Sequence, residues 1–233
     1  MGREHVIDLR DILASREIPS GPPLNLEQAG NVTALLKPFL TPQRFERLGA
    51  VMAKRTRHIT TLLDAVHDPH NISACMRSSD AFGLQDLHLI PPDDKRSTVS
   101  TLVSKGAQRW LTIHAHSGAS EAIEVIKSDG YKIVAAGVDP SGNAATPETL
   151  DLSDPLCLVM GNEHLGVSEA LHEAADQFVH VPMHGFVESL NVSVAYALIM
   201  RSLRSRLESE DCGARSLSAP ARTKLMDVWM LEE

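Results

Sequence analysis

Apolar residues along this chain change spacing repeatedly, and the changes divide it into elements. Short aliphatic or β-branched runs at 59–66, 87–90, 111–114, 131–137, 156–160 and 178–181 lack polar alternation, so they read as buried strands. Between them, 72–82, 119–128 and 168–175 carry helical spacing, the first stopped by Gly83 and the second by Asp129-Gly130. A short helix is expected near 97–105, and a long apolar one over 192–207. Ahead of the first strand, Thr41-Pro42 reads as an N-cap with proline at the first helical position. The helix it opens runs to about residue 57, with Phe45, Leu48 and Met52 on one face and Arg44, Arg47 and Arg55 off it. The polar tail from 211 ends in Leu225, Met226, Val228, Trp229 and Met230, which predicts a helix docking on the body or on a partner.

Short buried strands alternating with helices of about ten residues imply an α/β fold, a parallel sheet with helices on both faces. The organisation that follows is a flexible extension over 1–40, containing Pro19-Ser20-Gly21-Pro22-Pro23, and a basic helix over 41–58. An α/β domain over 59–208 and a tail over 209–233 complete it.

Composition narrows the class. The 233 residues are 43% hydrophobic and 22% charged, ordinary for a water-soluble domain, and only 4% aromatic, too few for base-stacking platforms to dominate. No apolar run reaches the ~18 residues of a membrane span, and no signal-peptide pattern opens the chain. Cys75, Cys157 and Cys212 are widely spaced and fit neither a disulfide framework nor a metal motif, so a cytoplasmic protein is the default. A net charge of −8 argues mildly against nucleic acid. A binding face needs only a local cluster, however, and arginines bunch at 44–57 and 201–206.

Ligands of parallel sheets gather at the carboxyl ends of strands, and three such ends here are rich in polar groups: 67–77, 161–166 and 183–191. Neither a Gly-x-Gly-x-x-Gly turn nor a Walker loop is present, which disfavours a dinucleotide site or P-loop nucleotidase. Gly137-Val138-Asp139-Pro140-Ser141-Gly142 reads as a turn. On their own, Asn71 reads as a helix N-cap and Arg77 as a surface arginine, while Ser168 caps the helix after it. His67 and His70 lack the further ligands a metal needs, and no metal is expected. Glu163 suits a carboxylate that organises its loop through backbone N–H groups. Ser189 and Asn191 sit where a strand exit meets uncapped helix N–H groups, a place for a ligand.

Together these loops resemble the SpoU/TrmH family of SPOUT RNA ribose 2′-O-methyltransferases. The likeness rests on His70-Asn71-Ile72-Ser73-Ala74 with Arg77, on Gly161-Asn162-Glu163-His164-Leu165-Gly166, and on Pro182-Met183 with Gly185 and Ser189-Leu190-Asn191-Val192-Ser193. The resemblance implies a deep C-terminal trefoil knot whose pocket binds S-adenosylmethionine. Positions matching the cofactor site are Ala136, Gly161, Val181, Met183, Ser189 and Leu190. The family's proposed base falls on Arg77. A guanidinium has a pKa above ~12 and does not readily deprotonate, so Arg77 is better read as gripping phosphate and polarising the 2′-oxygen. Asn71 and Glu163 would hold the loops, and Ser189 and Asn191 would position ribose or cofactor.

Residues 44–55 resemble the basic helix preceding the catalytic domain in the family's tRNA-specific branch. That makes the D-loop guanosine of tRNA the expected substrate, with Arg44, Arg47, Arg55, His70, Arg204 and Arg206 as RNA contacts. The family is also homodimeric, and the largely apolar circumference of 192–203 fits burial on several sides. Rival readings are a methyltransferase for ribosomal RNA or another tRNA position, and a non-catalytic RNA-binding or assembly factor.

Overall fold

The computed structural model describes residues 32–92, 107–209 and 216–232, in which all six strands form one parallel sheet ordered β3-β2-β1-β5-β4-β6. In chain order the elements are α1 (Val32–Leu36), α2 (Pro42–Met52), β1 (Ile59–Asp64), α3 (Pro69–Ala81), β2 (Asp86–Ile90), β3 (Thr112–Ala115), α4 (Ala119–Ser128) and β4 (Lys132–Ala136). They continue with β5 (Leu156–Met160), α5 (Glu169–Glu173), β6 (Gln177–Val179), α6 (Val192–Ser209) and α7 (Ala219–Glu232), and 3-10 turns occupy Lys37–Phe39 and Ala107–Trp110. The helix expected near 97–105, most of the 1–40 extension and Cys212 lie outside the described residues.

Strands β1, β2 and β5 are buried along their whole length, as their unbroken apolar runs require. Side chains alternate between faces. Ile59 and Leu63 join a cluster with Ile72 and Met76 of α3 and Tyr196, Ile199 and Leu203 of α6. Leu62, Cys157 and Val159 point the other way, against Ala122 and Ile126 of α4 and Leu171 of α5. Each fully buried aliphatic side chain contributes roughly 1.5–3 kcal/mol.

A line of hydroxyls locks α3, α6 and β1 together inside the first cluster. Ser79 donates to the Cys75 carbonyl at 2.9 Å, so its oxygen must accept from the Tyr196 hydroxyl at 2.6 Å. Tyr196 then accepts from Thr61 at 2.8 Å. One proton per hydroxyl fixes the direction, and every member is satisfied.

The third apolar cluster is a helical cap. Leu48 and Met52 of α2 pack with Leu217 and with Leu225, Trp229 and Met230 of α7, while Leu36, Phe45 and Trp110 close the rim. The tail helix therefore docks on its own chain.

The order of strands positions the site. The chain moves outward from β1 through β2 to β3, then crosses to build β4, β5 and β6 on the other side of β1. The switch falls between β1 and β5, so the loops leaving those two strands run side by side.

Candidate functional site

Three loops meet at that switch point, held by a directional chain of side-chain amides. The Asn191 Oδ1 accepts from the Ser193 backbone N–H at 2.9 Å and from the Ser193 hydroxyl at 2.7 Å. Its Nδ2 is thereby aimed at the Asn71 Oδ1, 3.1 Å away. Asn71 in turn donates from Nδ2 to the Glu163 Oε1 at 2.8 Å, and the Glu163 Oε2 accepts from the His67 N–H at 3.3 Å. A carboxylate only accepts, so the amide orientations follow from chemistry. One continuous line thus joins the loop after β1, the loop after β5 and the entry to α6.

The first loop opens with Ala65 at φ 50°, a backbone conformation that side-chain-bearing residues rarely adopt. The helix begins earlier than its apolar periodicity suggests. Asp68 is the N-cap, accepting from the His70 N–H at 2.8 Å, and Pro69 stands in the first turn. Asn71 is therefore not a cap but a buried residue inside the first turn, free to bridge Glu163 and Asn191. His70, Ser73 and Arg77 form an exposed stripe along α3 at helical spacing. No hydrogen bond or ion pair engages the Arg77 side chain among the described residues.

The second loop turns on Gly161. A Cβ there would lie 2.1 Å from the Gly166 carbonyl carbon and 2.2 Å from the Val167 nitrogen, so only glycine fits. Asn162 then closes the loop. Its Oδ1 accepts from the N–H groups of His164 and Leu165, and its Nδ2 donates to the Ala65 carbonyl at 3.0 Å and to the His67 ring. Asp64 anchors the far end by accepting from the Ser168 N–H at 2.7 Å. Ser168 is the N-cap residue of α5, as its place before Glu169 predicts, although its hydroxyl makes no cap hydrogen bond. Burial pushes the Glu163 carboxyl up, but hydrogen bonds from Asn71 and the backbone outweigh it and hold the group below its ordinary value.

In the third loop, the α6 entry is capped rather than open, because Asn191 takes the first free N–H groups. Ser189 is exposed, and no hydrogen bond holds its hydroxyl among the described residues. Ala136 ends β4, Gly161 follows β5 and Val181 follows β6, on three neighbouring strands, each half-buried. Leu190 is half-buried and Met183 exposed. Exposed apolar residues in the loops that follow these strands are Val138, Leu165, Phe186 and Val187, and α6 carries exposed Val194 and Leu198.

The arginines grouped by sequence differ in exposure and in partners. Arg47 is exposed and has no partner among the described residues. Arg44 is half-buried with its guanidinium 5.8 Å from the Trp110 ring centre. Arg55 corrects the expectation that it contacts RNA: it is 1% exposed, ion-paired to Asp80 and bonded to the Leu84 carbonyl at 2.6 Å. A guanidinium without surface cannot reach a phosphate. Arg204 donates to the Lys54 carbonyl at 3.0 Å, and Arg206 to the carbonyls of Pro147 at 3.1 Å and Leu150 at 2.7 Å. Both staple α6 to neighbouring loops, which leaves fewer N–H groups for RNA.

Asn162, Asp64 and Tyr196 were not singled out by sequence. An Asn directly after a strand-ending glycine was the available signal for the first. The buried partners of the other two have no local signature.

A family model described as the SpoU rRNA methylase family matches residues 58–201. A tRNA (guanosine(18)-2′-O)-methyltransferase of Borreliella burgdorferi is 35% identical over 173 residues, 74% of this chain and 78% of that protein. The crystal structure of an Aquifex aeolicus TrmH/SpoU tRNA modifying enzyme superposes with a TM-score of 0.71 at 29% identity, covering 85% of this chain and 98% of that one. An AdoMet-bound rRNA methyltransferase from Sinorhizobium meliloti gives a TM-score of 0.57 at 25% identity, over 66% of this chain and 58% of that one.

Proposed function

Because the chain belongs to the SpoU methylase family, we propose that it methylates the ribose 2′-hydroxyl of tRNA at the D-loop guanosine, position 18. The observation that carries this reading is the Asn191–Asn71–Glu163 line. It ties three loops together, and among the described residues no hydrogen bond or ion pair engages the side chains of Arg77, farther along α3, or Ser189, two residues before Asn191.

The strand ends suit S-adenosylmethionine. Ala136 and Gly161 present backbone with little or no side chain, and half-buried Val181 and Leu190 with exposed Met183 offer apolar surface to an adenine. When bound, the cofactor supplies a methyl group already activated on a sulfonium, and it leaves as the thioether. The chain's own task is to aim the ribose and dispose of one proton. The Arg77 fork binds the phosphate beside the target ribose and polarises the 2′-hydroxyl, stabilising the negative charge that develops on its oxygen as that phosphate or a water takes the proton. Asn71 and Glu163 keep α3, which carries Arg77, in register with the loop after β5, and Asn191, two residues beyond Ser189, ties the entry of α6 to them. His70 and Arg47, both exposed, with half-buried Arg44, contribute to the RNA face.

The active unit is a homodimer. The exposed apolar surface of Val138, Leu165, Phe186 and Val187, continued by Val194 and Leu198, is what a second copy would cover. A C-terminal trefoil knot belongs to the same reading, supported by the path of the chain from β6 at the sheet edge back to Tyr196, whose hydroxyl lies 2.8 Å from that of Thr61 on β1. A cytoplasmic site of action belongs to the same reading and rests on the tRNA substrate.

The test is methyl transfer from labelled S-adenosylmethionine to a tRNA transcript, followed by mapping of the modified nucleotide. Transfer at position 18, abolished by a 2′-deoxyguanosine there, is the expected result. Methylation of a 23S ribosomal fragment in preference to tRNA would overturn the substrate, and the family model and the Sinorhizobium structure make that the rival worth including.

A further inference from the structure

Arg55 lies in the segment between α2 and β1, where several parts of the molecule converge. Its Nη1 donates to the Leu84 carbonyl at 2.6 Å and its Nη2 pairs with Asp80, near the end of α3. The guanidinium sits 5.2 Å from the centre of the Trp229 ring of α7. The backbone repeats the join: the Thr56 N–H donates to Gly83 at 2.9 Å and the Gln85 N–H to Thr56 at 3.1 Å. Gly83 adopts φ +75°, and a Cβ there would lie 2.8 Å from the Lys54 carbonyl oxygen. That same Lys54 oxygen accepts from Arg204 of α6.

The arrangement is costly. The Arg55 Nε and the Trp229 indole N–H are buried without an acceptor among the described residues. A buried ion pair often contributes no more stability than an apolar replacement would. Stability alone therefore does not account for a charge held here. Its partner does: Asp80 stands three residues beyond Arg77, less than one turn along the same helix.

Resting on the reaction assigned above, we infer that Arg55 is a positioning residue: through Asp80 and Trp229 it locks the last turn of α3 to the helical cap and so fixes the aim of Arg77.

Arg55→Lys keeps the charge but loses the planar fork, and Asp80→Asn removes the partner's charge. Each variant is assayed for turnover per cofactor-binding site, counted by calorimetry, for tRNA KM and its salt dependence, and for amide exchange across residues 77–84. The expected result is at least a tenfold fall in turnover per site, unchanged KM and salt slope, and faster exchange in α3. The double variant should be no worse than either single one. A salt slope reduced by about one would place Arg55 on a phosphate and overturn the inference. A lower melting temperature with normal turnover per site would overturn it too, leaving only packing. Wild-type protein inert toward tRNA would instead remove the reaction assignment, and the exchange measurement reads the lock without any substrate.

Discussion

The polar strand ends and the helical cap use arginine in opposite ways. At the carboxyl ends of β1 and β5, polar side chains bond to one another in a line, and Arg77 and Ser189 stay exposed, with no side-chain hydrogen bond or ion pair among the described residues. In the cap, the apolar side chains of Leu48, Leu225, Trp229 and Met230 are buried, and the arginine there spends its Nη donors on Asp80 and Leu84. The difference shows that an arginine's availability is set by its neighbours' surface, not by its place in a basic cluster. Arg47 and Arg55 are eight residues apart in one basic stretch, yet one faces solvent and the other is 1% exposed.

The sharpest test of that contrast is Arg77→Ala. Methyl transfer should fall by about 10²–10³-fold, the usual loss for removing a group that stabilises developing charge. The melting temperature should move by no more than about 2 °C, since surface substitutions cost within ~0.5 kcal/mol. A large thermal shift would mean Arg77 is structural, and the contrast between regions would fail.

Gly161→Ala probes how tightly the cleft is built. The added methyl would stand 2.1 Å from the Gly166 backbone, so the second loop must move. We expect destabilisation of about 1–3 kcal/mol and at least tenfold weaker cofactor binding by calorimetry. Native affinity would show that the loop is not part of the pocket.

Leu225→Ala is the complement in the cap. Truncating this buried residue should cost about 2–4 kcal/mol in chemical denaturation while leaving turnover per folded molecule intact. Loss of turnover without loss of stability would make this part of the cap functional.

The smallest effect is in pH. Hydrogen bonds from Asn71 and the backbone hold the Glu163 carboxyl below its ordinary value of 4.5 despite partial burial. A depressed folded pKa means its contribution is complete above 4.5 and is lost as pH falls through the lower folded value. Cofactor affinity measured below that ordinary value should decline in the wild type and stay flat in Glu163→Gln. A decline of equal size in both would assign the dependence to another group.

Much of the fold was written in local pattern. Apolar runs located all six strands, and Gly83 and Gly130 marked helix ends, because burial on both faces and a positive φ each leave a local signature. The start of α3 was legible in principle, since Asp68-Pro69 is a capping pair, but the apolar periodicity beginning at Ile72 pointed past it. The roles of Asn71, Glu163 and Asn191 could be suspected from motif likeness, while their mutual bonding could not, since they are 92 and 120 positions apart.

By itself, then, the sequence determined element types, the parallel α/β class and the three polar strand ends, because each depends on residues within a few positions of one another. Only the tertiary structure decided which polar groups are consumed and which are left for a ligand. Exposure and hydrogen-bond partnership are properties of the packed surface around a side chain, and Arg55, Asp80 and Trp229 reach one another only once the sheet and cap have closed.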